Sequence, residues 1–200
     1  MTSSEDSKDL SNGWEVKSKE FMSIATRNTG ANTVKNWSKC FPIRYSILDI
    51  GCGFGGSYTK NLIENGAEVY GIDSSNTLIE EHKKKFTEAI VRCEAAEDST
   101  FFNKEFDAVI AIGLIFLLSR ENQILVLQKM AKALKEGGRL LFTSPYQICE
   151  WDDLLTGLKS QSLGKEAYMD ILQEHGLSLV NEYTDEGENH YYDFQKNALL

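Results

Sequence analysis

The stretch Ile47-Leu48-Asp49-Ile50-Gly51-Cys52-Gly53-Phe54-Gly55-Gly56 decides the fold. It closes an apolar run, Tyr45–Ile50, of the kind that forms a strand buried on both faces, and its glycines let the chain turn sharply. Working outward, strand and helix patterns alternate. Ser57–Asn65 reads as a helix ended by Gly66, Glu68–Ile72 as a strand ending at Asp73, Asn76–Ala89 as an amphipathic helix and Ile90–Cys93 as a short strand. Phe106–Ile112 is a strongly apolar strand. Arg120–Lys135 has helical spacing (Ile124, Leu127, Leu134) stopped by Gly137-Gly138, and Arg139–Thr143 is the fifth strand. Apolar strands separated by helices predict a parallel sheet covered on both faces and doubly wound.

The C-terminal part breaks this rhythm. Gly164–His175 reads as a helix stopped by Gly176, and Ser178–Tyr183 and His190–Lys196 as strands. The loop between them, Thr184–Asn189, is too short for a crossover helix, so the last pair should be antiparallel. The expected fold is α/β: a doubly wound, mostly parallel seven-stranded sheet with a C-terminal antiparallel hairpin. Ser144–Gly164 reads as a long loop on the ligand side, where long loops usually serve function.

A chain of 200 residues suits one domain. Residues 1–12 read as a loose tail, 13–44 as a helical cover with aromatic and apolar side chains (Trp14, Phe21, Met22, Trp37), and 45–200 as the core. The net charge of −9 and the lack of a Lys/Arg stripe argue against a nucleic-acid partner. Lys83–Lys85 suits a solvated helix face. No apolar run reaches the ~20 residues of a membrane span, and the polar first ten residues do not form a secretory signal. Cys40, Cys52, Cys93 and Cys149 form no C-x-x-C pair, which points to reduced thiols in a cytoplasmic protein. The expected assembly is a monomer or homodimer. Acidic residues and histidines are not grouped at metal-ligand spacing, so no metal is expected.

The glycine stretch also fits G-x-G-x-x-G, with Asp73 twenty residues after Gly53. That pattern suits a dinucleotide as well as other adenosine-bearing ligands. Asp49 separates them: a carboxylate beside the turn repels a pyrophosphate but attracts the sulfonium and ammonium of S-adenosylmethionine. Asp73 suits the ribose diol of either ligand.

On these residues the sequence resembles the class I S-adenosylmethionine-dependent methyltransferases. The matching stretches are Leu48–Gly55, Tyr70-Gly71-Ile72-Asp73, Phe106-Asp107-Ala108-Val109 and Leu134–Leu140. The string Asp185-Glu186-Gly187-Glu188-Asn189-His190-Tyr191-Tyr192, together with Trp151-Asp152 and Thr156-Gly157, resembles a small bacterial-type branch of that family. The resemblance implies that Asp49, Gly51, Cys52 and Gly53 lie at the methionine part, Asp73 and Ser74 at the ribose, and the segment Glu94-Ala95-Ala96-Glu97, chiefly Ala96 and Glu97, at the adenine. Gly113 and Leu114 would then lie near the transferred methyl. Glu97 as a surface acid and Leu114 as plain core are the alternatives.

For the acceptor, a hydroxyl or protonated amine needs a base, and His190 is the candidate because imidazole titrates near neutrality. Tyr146 or Tyr191 would orient the acceptor. The acidic segments Trp151-Asp152-Asp153 and Asp185–Glu188 suit either a cationic small molecule or solvent. The expected function is methyl transfer to an N, O or S atom of a small-molecule acceptor. A protein methyltransferase, a non-catalytic S-adenosylmethionine-binding module and a nicotinamide-dependent oxidoreductase are the rivals.

Overall fold

The computed structural model describes residues 11–24 and 29–198. The elements in chain order are α1 (Trp14–Ile24), α2 (Ala31–Ser38), β1 (Tyr45–Ile50), α3 (Ser57–Glu64), β2 (Ala67–Asp73), α4 (Asn76–Lys85), β3 (Ile90–Cys93) and β4 (Phe106–Ala111). There follow α5 (Arg120–Lys132), β5 (Leu134–Thr143), β6 (Cys149–Asp152), β7 (Lys159–Ser162), α6 (Lys165–Gln173), β8 (Leu177–Thr184) and β9 (His190–Lys196). Seven strands form one sheet in the order β3-β2-β1-β4-β5-β9-β8. All run parallel except β9, which lies antiparallel between β5 and β8. This is the expected architecture.

Strand β1 sits at the centre and is buried at every residue. Its side chains feed two cores. On one face Ile47, with Ile110, Leu141 and Tyr191, packs under α2 and α3 through Val34, Trp37 and Leu62. On the other Leu48 and Ile50 meet Val126, Leu127 and Met130 of α5 and Tyr168 and Leu172 of α6. Helix α4 begins where Ser75 caps it by accepting the Leu78 N–H, an ordinary use of serine at a helix start. An ion pair between the fully buried Asp193 and the partly buried Arg139 clamps β5 to β9, with Tyr183 donating to the same carboxylate at 2.9 Å.

The boundaries differ from expectation in physically informative ways. Helix α4 stops at Lys85 rather than Ala89, because Phe86 leaves helical geometry to pack beneath the glycine turn. Helix α5 stops at Lys132, and β5 begins before the glycines. Phe106 pairs with Leu134 and Ala108 with Arg139, so Gly137-Gly138 form a bulge inside a strand rather than a helix stop. The expected long loop after β5 contains an antiparallel hairpin, β6–β7, with the Trp151 ring 5.5 Å from that of Phe116. Residues 1–10 of the expected tail lie outside the described residues. Ser11 and Asn12 are not loose: Ser11 is buried and its hydroxyl accepts the Glu15 N–H at 2.9 Å, while the Asn12 amide donates to the Leu117 carbonyl.

Candidate cofactor and acceptor site

The carboxyl ends of β1, β2 and β4 open onto a cleft. Gly51, Asp73, Ser74, Ala96, Glu97 and Leu114 line it. These are six of the ten residues expected at the cofactor. The other four are not among its lining residues. Gly53 donates its N–H to Asp73 Oδ2 at 3.0 Å. Cys52 is buried against Gly71 and Val91. Gly113 donates its N–H to Thr143 Oγ1 at 2.7 Å, and Asp49 is 5% exposed at the end of β1.

The turn is possible only because its first residue is glycine. Gly51 has φ 75°, and a Cβ there would meet Leu114 at 3.2 Å. Its N–H and that of Cys52 both donate to the Ile72 carbonyl, which ties the turn to β2. Asp73 Oδ1 accepts the Ser75 N–H at 2.8 Å. Asp73 is therefore held at the end of β2 against the turn, and Asp49 lies buried one residue before the end of β1.

Their electrostatics are unusual. Burial, and then the neighbouring Asp73, push the Asp49 carboxyl up to about 7. Burial also raises Asp73, against the hydrogen bonds from Ser75 and Gly53. Among the described residues no Lys, Arg or His forms an ion pair with either. A buried carboxylate without a cation costs free energy that a positively charged ligand would offset. The donor set fits S-adenosylmethionine: two acceptors for the ribose diol at Asp73, a negative group at the turn, and small Ala95 and Ala96 where a flat base would lie. Among the described residues no group of three His, Cys, Asp or Glu side chains could hold a metal ion.

Several site residues carry no motif signal. Trp14, with Ser11 and Asn12, lines the cleft from the N-terminal side. Glu15 docks α1 on the start of α4 by accepting from Ser75 Oγ at 2.5 Å, Thr77 Oγ1 at 2.6 Å and the Thr77 N–H at 3.2 Å. These bonds, Ser75 first, hold its carboxyl below the usual range. At the Ala96–Glu97 rim of the cleft, Lys129 of α5 donates to the Ala96 and Glu97 carbonyls at 3.0 and 2.7 Å, and Asn122 donates to Glu97 Oε1.

The three acceptor-side candidates do not converge. His190 and Tyr146 meet, with ring centroids 5.8 Å apart, and His190 Nε2 is 3.0 Å from Glu182 Oε1. They lie at the ligand-side end of the sheet but do not line the cleft. Tyr191, the next residue along β9, points to the opposite face. It is fully buried, donates to Asp185 Oδ2 at 2.8 Å, and its hydroxyl is held protonated by burial. Expected beside His190, it instead ties the β8–β9 turn to the core. Asp185 is likewise committed, accepting from Gly187, Asn189 and Tyr191.

Residues 48–142 match the family described as a methyltransferase domain. The chain is 27% identical over 196 residues to the O-methyltransferase resE of Aspergillus sclerotiorum, covering 88% of this chain and 70% of that protein. It is 26% identical over 183 residues to the sarcosine/dimethylglycine N-methyltransferase of Aphanothece halophytica, covering 84% and 64%. It spans about half the length of further methyltransferases that it matches. Among solved structures, the N-methyltransferase NodS of Bradyrhizobium japonicum WM9 with S-adenosyl-L-homocysteine has the same fold. The TM-score is 0.74 at 17% identity, over 96% of this chain and 100% of that one.

The sheet order and the glycine turn with its two strand-end carboxylates define a nucleoside-binding α/β fold of the methyltransferase type. Residues 48–142 match the methyltransferase-domain family, and the chain shares the fold of S-adenosylmethionine-dependent methyltransferases.

Proposed function

We propose that the chain transfers a methyl group from S-adenosylmethionine to a heteroatom of a small-molecule acceptor, with nitrogen and oxygen ahead of sulfur. The observation that carries this reading is the uncompensated buried carboxylate Asp49 beside Asp73 at the glycine turn. The cofactor supplies an electrophilic methyl. The protein's part is orientation and exclusion of water. Asp49 faces the positive charge, Asp73 and Ser74 hold the ribose, and Ala96 and Glu97 border the base. Leu114 and Gly113 flank the methyl.

His190 takes the acceptor's proton where one must leave. Its Nε2 is occupied by Glu182, so Nδ1 is the nitrogen left to act, with Tyr146 beside it to orient the acceptor. A cationic amine fits the acidic character of the chain, and the relatives include both N- and O-methyltransferases. We place the reaction in the cytoplasm, in keeping with four unpaired cysteines.

The test is a screen of amines, phenols, carboxylates and thiols with methyl-labelled S-adenosylmethionine. Label in an extractable small product supports the proposal. Label recovered only in added protein favours a protein methyltransferase, and tight cofactor binding without any transfer favours a binding module.

A further inference from the structure

One buried titratable side chain takes no part in the chemistry above. His82, on α4, is fully buried. Its Nδ1 lies 3.3 Å from the Gly53 carbonyl oxygen. A carbonyl only accepts, so Nδ1 carries the proton and Nε2 carries a bare lone pair. Nε2 is buried with no hydrogen-bond partner. An apolar side chain would fill this space without leaving an orphaned polar atom, so the imidazole is an expensive occupant if packing is its only task.

The surroundings show what it supports. The glycine turn rests directly on His82 and Phe86, whose rings meet edge to face at 5.5 Å. A Cβ at Gly55, where φ is 63°, would come within 3.2 Å of His82 Cε1 and 2.7 Å of the Phe86 ring. Next in the turn, the Phe54 ring is held between Lys85 Nζ at 4.0 Å and Phe21 of α1 at 5.7 Å. Gly53 itself is gripped at both ends, its N–H by Asp73 and its C=O by His82.

We propose that His82 is a positioning residue for the cofactor. Its Nδ1–H holds the Gly53 carbonyl against α4, out of the cleft, and so keeps the Gly51–Gly55 turn in the shape that receives the methionine end of S-adenosylmethionine. A carbonyl released toward the cleft would oppose the carboxylate of that moiety. This inference rests on the cofactor reading above.

The experiment measures the Kd for S-adenosylmethionine by calorimetry, and Tm without ligand, for the native chain and for His82→Leu, His82→Asn and His82→Gln. Asparagine places an N–H near the Nδ1 position, and glutamine places it one bond too far. The expected result for His82→Leu is an unchanged or raised Tm with about five- to tenfold weaker binding, the loss of one hydrogen bond. His82→Asn should bind within about twofold of the native chain, and His82→Gln should resemble the leucine variant. If leucine prevents folding, the asparagine–glutamine pair carries the comparison. Native-like affinity in His82→Leu, or equal weakness in folded Asn and Gln variants, overturns the proposal. A native chain that binds no S-adenosylmethionine overturns the cofactor reading first, and this inference with it.

Discussion

Replacing Asp49 by asparagine separates the cost of a buried charge from its use. In the free protein the Asp49 carboxyl sits at about 7, pushed up by burial and by Asp73. In the unfolded chain it titrates near its ordinary value, about 3.9. The sign follows from proton binding. Between those two values the folded protein holds a proton that the unfolded chain has lost, so stability falls as pH rises through the interval. The full penalty, on the order of 4 kcal/mol, is present at pH 8, and roughly a third of it is present at pH 5. Asp49→Asn keeps the shape and removes the charge. The variant should therefore melt several degrees above the native chain at pH 8, and the gap should narrow toward pH 5.

Ligand binding should move the other way. A positively charged ligand needs the ionised carboxylate, so native affinity for S-adenosylmethionine should weaken about tenfold per pH unit below 7 and level off above it. Near pH 6 close to one proton should be released per ligand bound. The asparagine variant should bind about 30-fold weaker or worse at pH 8, with no proton release, because it forfeits a buried charge pair. The assay is calorimetry in buffers of different ionisation enthalpy, with melting curves at pH 5 and pH 8. Equal stability of the two proteins at pH 8, together with pH-independent native affinity, would refute the reasoning.

The other predictions concern separate contacts. Asp193→Ala strands the Arg139 guanidinium between β5 and β9. It should cost about 3–5 kcal/mol, read as a fall in Tm of roughly 10 °C. Glu15→Ala removes the three bonds that dock α1 on α4, so α1 amides should exchange with solvent markedly faster. Because those bonds hold the Glu15 carboxyl low, its share of stability is present above about pH 4.3 and lost as pH falls further. That acid-side loss should vanish in the variant. His190→Ala should lower turnover of a hydroxyl or protonated-amine acceptor by about 100-fold while the Kd for S-adenosylmethionine stays constant. Full turnover in that variant would remove His190 as the base.

The strand-and-turn frame was readable because its signals are local. Tyr45–Ile50 is apolar throughout, Gly51 and Gly53 follow it immediately, and Asp73 ends the next apolar run. The short Thr184–Asn189 connection likewise demanded an antiparallel pair by its length alone. The rest depends on contacts far apart in sequence. Glu15 meets Ser75 and Thr77, His82 meets Gly53, and Lys129 meets Ala96 and Glu97. No spacing rule announces any of these. The β6–β7 hairpin leaves no pattern in the sequence because each strand has four residues with weak alternation. Tyr191 offers a different lesson. Neighbouring residues on a strand face opposite ways, so His190 and Tyr191 could not both serve one pocket, and the period of two already said so.

The most direct test of the central claim is calorimetric titration of the native chain and of Asp73→Ala with S-adenosylmethionine and, separately, with NADH. S-adenosylmethionine should bind the native chain at micromolar concentration and the variant, which loses the carboxylate proposed for the ribose diol, at least tenfold more weakly, and NADH should bind neither. A folded native chain that binds NADH, or neither ligand, would contradict that claim.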